Sequence, residues 1–291
     1  ATAVIVLFLV LSLQQCGTWR NSWSLWSHAY QNGASASAPV NFSLGLAAAS
    51  EGRVENAREW YHQALAINPR YHLPHNNLGV LDWQEGRFDQ ALSHLREAVE
   101  LQPGDASSQR TLGSMLAERG ELDSAEEHLR EAVRVKPDFL DARMRLANVL
   151  ERRGLVDAAL EQLDQATIRV PGDPIPRYHT GRLLLSLGDA GRACAQLESV
   201  SRSRPDLLDA RRLLAIGKQA QGETREALAL ALDLVREHPE LADVRDDLAD
   251  LLESLGDRRG AGMQRDEARR LRSMRQAIPN RVTTRSGDRD P

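Results

Sequence analysis

The sequence predicts an all-α protein, a right-handed α-solenoid of about seven helix pairs preceded by the truncated end of a transmembrane helix. Three observations predict it. Pro69, Pro103, Pro137, Pro171, Pro205 and Pro239 each follow the last by 34 residues. Gly52, Gly86, Gly120, Gly154, Gly188, Gly222 and Gly256 keep the same period, as do Ala57, Ala91, Ala125, Ala159, Ala193, Ala227 and Ala261. Finally, residues 1–13, "ATAVIVLFLVLSL", carry no charge.

That apolar run comes first along the chain. It falls short of the roughly 20 residues that span a bilayer. Residue 1 is not methionine, and no Lys or Arg precedes the run as a secretory leader requires. The expectation is therefore that residues 1–18 are the end of a transmembrane helix of a longer protein. A membrane location is expected, with the repeats in the aqueous phase. A lipoprotein signal ending at Cys16 would need a small residue where Gln15 stands. Residues 19–37 read as a half repeat and linker, in which Ser22, Trp26 and Ala29 take the small, large and small places of a second helix. Trp19 and Trp23 fall where aromatic rings favour a membrane–water boundary.

Seven repeats are expected over 38–71, 72–105, 106–139, 140–173, 174–207, 208–241 and 242–274. In the second, Leu78, Val80 and Leu81, then Ala91, Leu92, Leu95, Ala98 and Val99, recur at three- and four-residue spacing, as helices with one buried face require. Gly86 separates the two helices, Gly79 and Ala91 let their backbones approach, and Pro103 stops the second. Asp105, Asp138, Asp173 and Asp206 stand where the following helices begin and can accept their free amide hydrogens. One pair cannot bury its apolar face alone, so the pairs stack. The last repeat carries Arg265 in place of a large apolar residue and Ser273 in place of proline, as a stack end facing water should. Residues 275–291 lack apolar periodicity and are expected to be a disordered basic tail.

Several function classes are excluded by composition. A net charge of -4 argues against a generic nucleic-acid partner. The 35 arginines against two lysines are spread along exposed helix positions instead of forming one patch. Cys16 and Cys194 make neither a disulfide framework nor a cysteine zinc site. His72 and His75 lie one turn apart without a third ligand at fixed spacing, and His94 and His128 occupy equivalent places of successive repeats. There is no glycine-rich phosphate loop and no nucleophile elbow. No catalytic residue, cofactor or metal is expected.

The units "SLGLAAASEGRVENAREWYHQALAINP", "NLGVLDWQEGRFDQALSHLREAVELQP", "TLGSMLAERGELDSAEEHLREAVRVKP" and "RLANVLERRGLVDAALEQLDQATIRVP" resemble the tetratricopeptide repeat family, over about residues 38–274. The resemblance implies a scaffold that binds a protein or peptide in a concave groove lined by the first helix of each pair. Places 2, 5, 9, 12 and 13 of each unit face that groove. In the first two repeats they hold Phe42, Leu46, Leu73, Asn76, Val80 and Trp83. In the middle come Arg110, Asn148, Arg152, Tyr178, Arg182 and Arg212, and in the seventh Asp243, Asp246, Asp250 and Glu253. An apolar start, a basic middle and an acidic end would orient an extended ligand. A terminal-carboxylate clamp lacks its lysines, although Asn76 and Asn77 are present. The asparagine ladder of sugar-transferase repeats is broken at Ser43, Thr111, Arg145, His179, Leu213 and Asp247.

A second resemblance covers residues 14–31. Trp19, Arg20, Asn21, Ser22, Leu25, Trp26, His28 and Ala29 are similar to the junction between a membrane helix and repeats in bacterial membrane O-mannosyltransferase-like proteins. It implies an alternative role as the partner- or substrate-recruiting arm of a glycosyltransferase whose catalytic part lies upstream.

Overall fold

The computed structural model describes residues 21–277, and these form α-helices without strands. A short helix α1 (Ser22–Ala29) runs through a π-helical turn (Tyr30–Ala34) into the first pair, α2 (Ala38–Ser50) and α3 (Val54–Ile67). Then follow α4 (His72–Gln84), α5 (Phe88–Leu101), α6 (Ala106–Glu118), α7 (Leu122–Val135), α8 (Leu140–Arg152) and α9 (Val156–Arg169). The remainder are α10 (Ile175–Ser186), α11 (Ala190–Ser203), α12 (Leu208–Ala220), α13 (Thr224–Glu237), α14 (Ala242–Ser254) and α15 (Arg258–Ala277). Two compact units divide between Leu155 and Val156, at the turn joining α8 to α9.

The periodic residues do the work their chemistry suggests. Each glycine between paired helices takes a positive φ, from 74° at Gly52 to 87° at Gly256, where a side chain would be strained. The next residue then donates back to the carbonyl five positions before that glycine's neighbour, as in Arg87 N to Asp82 O (2.8 Å) and Glu121 N to Leu116 O (2.9 Å). Second helices end two residues before the periodic proline. Gly79 and Gly113 sit where a Cβ would meet Leu95 Cγ at 2.6 Å and Leu129 Cγ at 2.8 Å, so close approach needs glycine. Leu95, Leu129 and Leu197 occupy one place of the repeat and are fully buried, as is Tyr61 in the first.

Helix starts differ from expectation. Asp105 accepts from Ser108 N and Asp173 from Ile175 N, both at 2.8 Å. Asp138 and Asp206 do not cap, because Phe139 and Leu207 are the cap residues and Asp206 is turned to Arg204 at 2.7 Å. Instead the fourth residue of a repeat fixes the junction behind it. Gln109 Nε2, Arg143 Nη2, Arg177 Nη1 and Arg245 Nη2 donate to the carbonyls of Pro103, Pro137, Pro171 and Pro239 at 2.9–3.0 Å, and His75 Nε2 lies 3.3 Å from that of Pro69.

Each unit also carries one charge in a core place. Asp82, 2% exposed, stands where later repeats bury Leu116, Leu150 or Leu184. It accepts from Arg58 of the preceding repeat at 2.7 Å and from Arg87 at 2.8 Å. In the second unit Lys218 holds the same place, paired with Glu198 of the preceding repeat (3.0 Å) and with Glu223 and Glu226 (2.7 and 3.1 Å).

The membrane expectation is corrected here. Among the described residues no helix is long and apolar enough to cross a membrane. A 14-residue helix such as α5 rises only about 21 Å, and the longer α15 is lined with arginines. The apolar run 1–13, Trp19 and Arg20 lie outside the described residues. Trp23, placed at a membrane boundary by the sequence, instead packs edge-on against Trp60 at 6.3 Å with the Arg53 guanidinium over its ring at 4.0 Å. The tail expected to be disordered from residue 275 is helical to Ala277, and its remainder lies outside the described residues.

Candidate partner-binding face

On the first unit, the open face of the first helices is mainly apolar. Leu46 of α2 is 44% exposed, and Leu73 and Val80 of α4 are half-buried. Phe42 does not join them. It is 8% exposed and packs between Tyr61 (5.8 Å) of the paired helix and Tyr71 (5.4 Å) of the junction to the next pair. Trp83 is fixed in place, its Nε1 donating to Glu118 Oε2 at 2.7 Å while its ring meets Phe88 at 4.8 Å. Asn76 Oδ1 and Arg110 Nε, at equivalent places of α4 and α6, are both occluded without a hydrogen-bond partner. Arg110 Nε lies 3.4 Å from Asp141 Oδ2, and burial holds its pKa below the usual arginine value against that carboxylate. Asn148 of α8 is exposed. Arg152 is spent on structure, donating to Ala117 O at 2.7 Å.

The second unit gathers three of the expected residues around one cleft. Tyr178 and Arg182 of α10 and Arg212 of α12, with Asp209, Leu213 and Ile216, line about 270 Å³. Arg212 donates from Nε to Asp247 Oδ2 at 2.6 Å and lies 3.3 Å from Asp209 Oδ1 through Nη1. Its Nη2 makes no hydrogen bond among the described residues, nor does the Tyr178 hydroxyl. Burial, assisted by Asp209, pushes the Tyr178 phenol above its ordinary pKa despite Arg182 and Arg212, so at neutral pH it is a donor. Ile216 is 39% exposed and with Leu213 makes the apolar wall. Sequence reasoning passed over both. Ile216 holds the ninth place of its repeat, so the spacing that selects Arg182 reaches it too, whereas Leu213 in the sixth place lies outside that pattern.

The acidic end carries its own counter-charges. Asp243 and Asp246 pair with Arg272, and Asp250 and Glu253 with Arg265, both arginines of α15. This last described helix turns long basic side chains back toward the carboxylates. The carboxylates stay accessible, with side chains 34–69% exposed, but their charge is offset by the two guanidinium groups. Among the described residues no three His, Cys, Asp or Glu side chains group as metal ligands, and His75 Nδ1 faces His94 Nδ1 at 3.3 Å. Cys194 is buried against Gly217, and burial raises its thiol pKa, which leaves it unreactive.

Comparison with known proteins agrees with this geometry. The models described as "Tetratricopeptide repeat" match residues 70–138 and 118–174, and "TPR repeat" matches 45–85. Residues 45–174 match tetratricopeptide repeat models, and the helix pairs that follow continue the same repeat architecture. PilF of Pseudomonas aeruginosa is similar in structure, with a TM-score of 0.62, 20% identity, and coverage of 71% of this chain and 94% of that one. A tetratricopeptide repeat protein from Parabacteroides merdae gives a TM-score of 0.62 at 14% identity, covering 80% and 93%. YrrB, described as a TPR protein with an unusual peptide-binding site, gives 0.53 at 19% identity, covering 64% and 95%. These likenesses bear on the fold alone. No curated protein matches the chain. The family matches begin at residue 45 and do not reach residues 14–31, so they leave the resemblance to O-mannosyltransferase-like proteins without support.

Proposed function

We propose that this chain is an interaction scaffold whose first-helix faces hold a protein or peptide segment. The observation that carries this reading is the cleft on α10 and α12. There an exposed apolar wall, a phenol and an arginine edge with unused donors converge from successive repeats. Such a mixture of apolar surface and a few aimed polar groups is typical of recognition sites. The half-buried Leu73, Val80 and Trp83 offer an apolar counterpart on the first unit. The peptide-binding description of YrrB, a relative in fold, agrees with this reading.

The test is selection of a peptide library on the immobilised full chain. Peptides should be enriched, and their affinity should fall at least about tenfold, or about 1.4 kcal/mol, on Ile216→Arg or Val80→Arg. Glu161→Arg, on the exposed side of α9, should leave it unchanged. Equal losses from all three variants, or no enrichment, would sink the proposal.

A further inference from the structure

We infer that the cleft between α10 and α12 recognises an internal acidic side chain next to an apolar one in a peptide, Glu–Leu being the simplest example. This deepens the scaffold reading and rests on it. The donors set the charge. Arg212 has committed Nε to Asp247 and turned Nη1 toward Asp209, leaving the Nη2 edge open. The Tyr178 hydroxyl, on the neighbouring first helix, adds a second unused donor, and Arg182 contributes positive charge to the same lining. Two donors from two helices suit the two oxygens of one carboxylate.

Other anions fit less well. Asp209 stands in the wall and Asp247 directly behind Arg212, so a doubly charged phosphate would meet two carboxylates. A chain terminus is commonly held by several lysine and asparagine donors. Repeats five and six contain no asparagine, and Lys218 is taken by Glu198, Glu223 and Glu226. Of the acidic residues of α14, Asp243, Asp246, Asp250 and Glu253 are paired with Arg272 and Arg265, which leaves Asp247 alone on Arg212. The apolar half of the ligand is set by Ile216, 39% exposed, beside Leu213. At about 270 Å³ the cleft lies just below the roughly 300–1,000 Å³ of small-molecule pockets, a size for side chains in place of a whole cofactor.

The experiment follows the Ile216 methyl by NMR in the isoleucine-labelled full chain during titration with blocked peptides. The probe is acetyl-Gly-Glu-Leu-Gly-amide, whose only carboxylate is the glutamate side chain. Its shift of the Ile216 methyl should saturate, with at least about fivefold weaker binding for the Gln–Leu and Glu–Ser versions and weakening as salt rises. Tyr178→Phe should weaken the Glu–Leu peptide and leave the Gln–Leu peptide unchanged. Arg212→Gln should do the same, and Tyr178→Phe keeps the test sound if that variant unfolds by stranding Asp247. Equal binding of the Glu–Leu and Gln–Leu peptides would overturn the inference. So would a response only to a free terminal carboxylate, or tighter binding of a phosphoserine peptide. If library peptides bind through Ile216 without an acidic residue, this inference falls while the scaffold reading stands.

Discussion

Asp82 shows how much one side chain can decide. A lone carboxylate in a leucine's place would be expelled, yet two guanidinium groups hold it. Burial alone would raise its pKa, but the hydrogen bonds and charges of Arg87 and Arg58 outweigh this and keep it below the ordinary value. Asp82→Ala should cost about 1–3 kcal/mol in urea unfolding, because it removes the hydrogen bonds to Arg58 and Arg87 while both keep Glu85 as a partner. Beside it, His94 is depressed by burial, against the pull of Asp82 and with His75, His62 and Arg58 adding to the effect. A depressed folded-state pKa means that the unfolded chain takes up the proton first. Stability is therefore fully present above the unfolded value near 6.5 and is lost as pH falls through the folded one. The urea midpoint should drop between pH 7.5 and 5.5, and His94→Gln should make that drop smaller; an unchanged drop would refute the assignment. The variant side chain is tolerable there, since Gln264 holds the equivalent place of the last repeat and accepts from Arg245 at 2.9 Å.

At the scale of helices, close packing and the turns govern stability. Gly113→Ala should cost about 1–3 kcal/mol, since its Cβ would press on Leu129 Cγ at 2.8 Å and Ala125 O at 3.0 Å. Gln109→Ala should cost a similar amount, about 1–3 kcal/mol, by leaving the Pro103 carbonyl without its donor. Thermal unfolding of each variant reads both. The first effect was legible in the sequence, because the place of Gly113 holds only glycine or alanine, with Ala147, Ala215 and Ala249 in other repeats. The second was not. The residue that bonds the proline carbonyl is His75, Gln109, Arg143, Arg177 or Arg245, so the role is kept while the chemistry changes, and a search for identity misses it. The same limit applies to the site. Spacing found Tyr178, Arg182 and Arg212, but it put Phe42 on the open face, because periodicity does not register that Tyr61 and Tyr71 close over it.

Across the whole molecule, repeats of this kind hold one another by neighbour contacts, so the ends need separate treatment. Arg265 stands where Leu95, Leu129 and Leu197 are buried, and with Arg272 it covers the carboxylates of α14. Replacing both by leucine should expose an apolar end beside unpaired acids. Light scattering should then register self-association that the parent chain lacks at equal concentration. The two core charges have a different consequence. Exchanging repeats two and six by gene design would set Asp82 against Glu198 and Lys218 against Arg58, an acid facing an acid and a base facing a base. The modules share one blueprint but not one address: the protein's internal order is written in the sign of two paired charges, one buried and one half-buried, and shuffled chains should be rejected during folding.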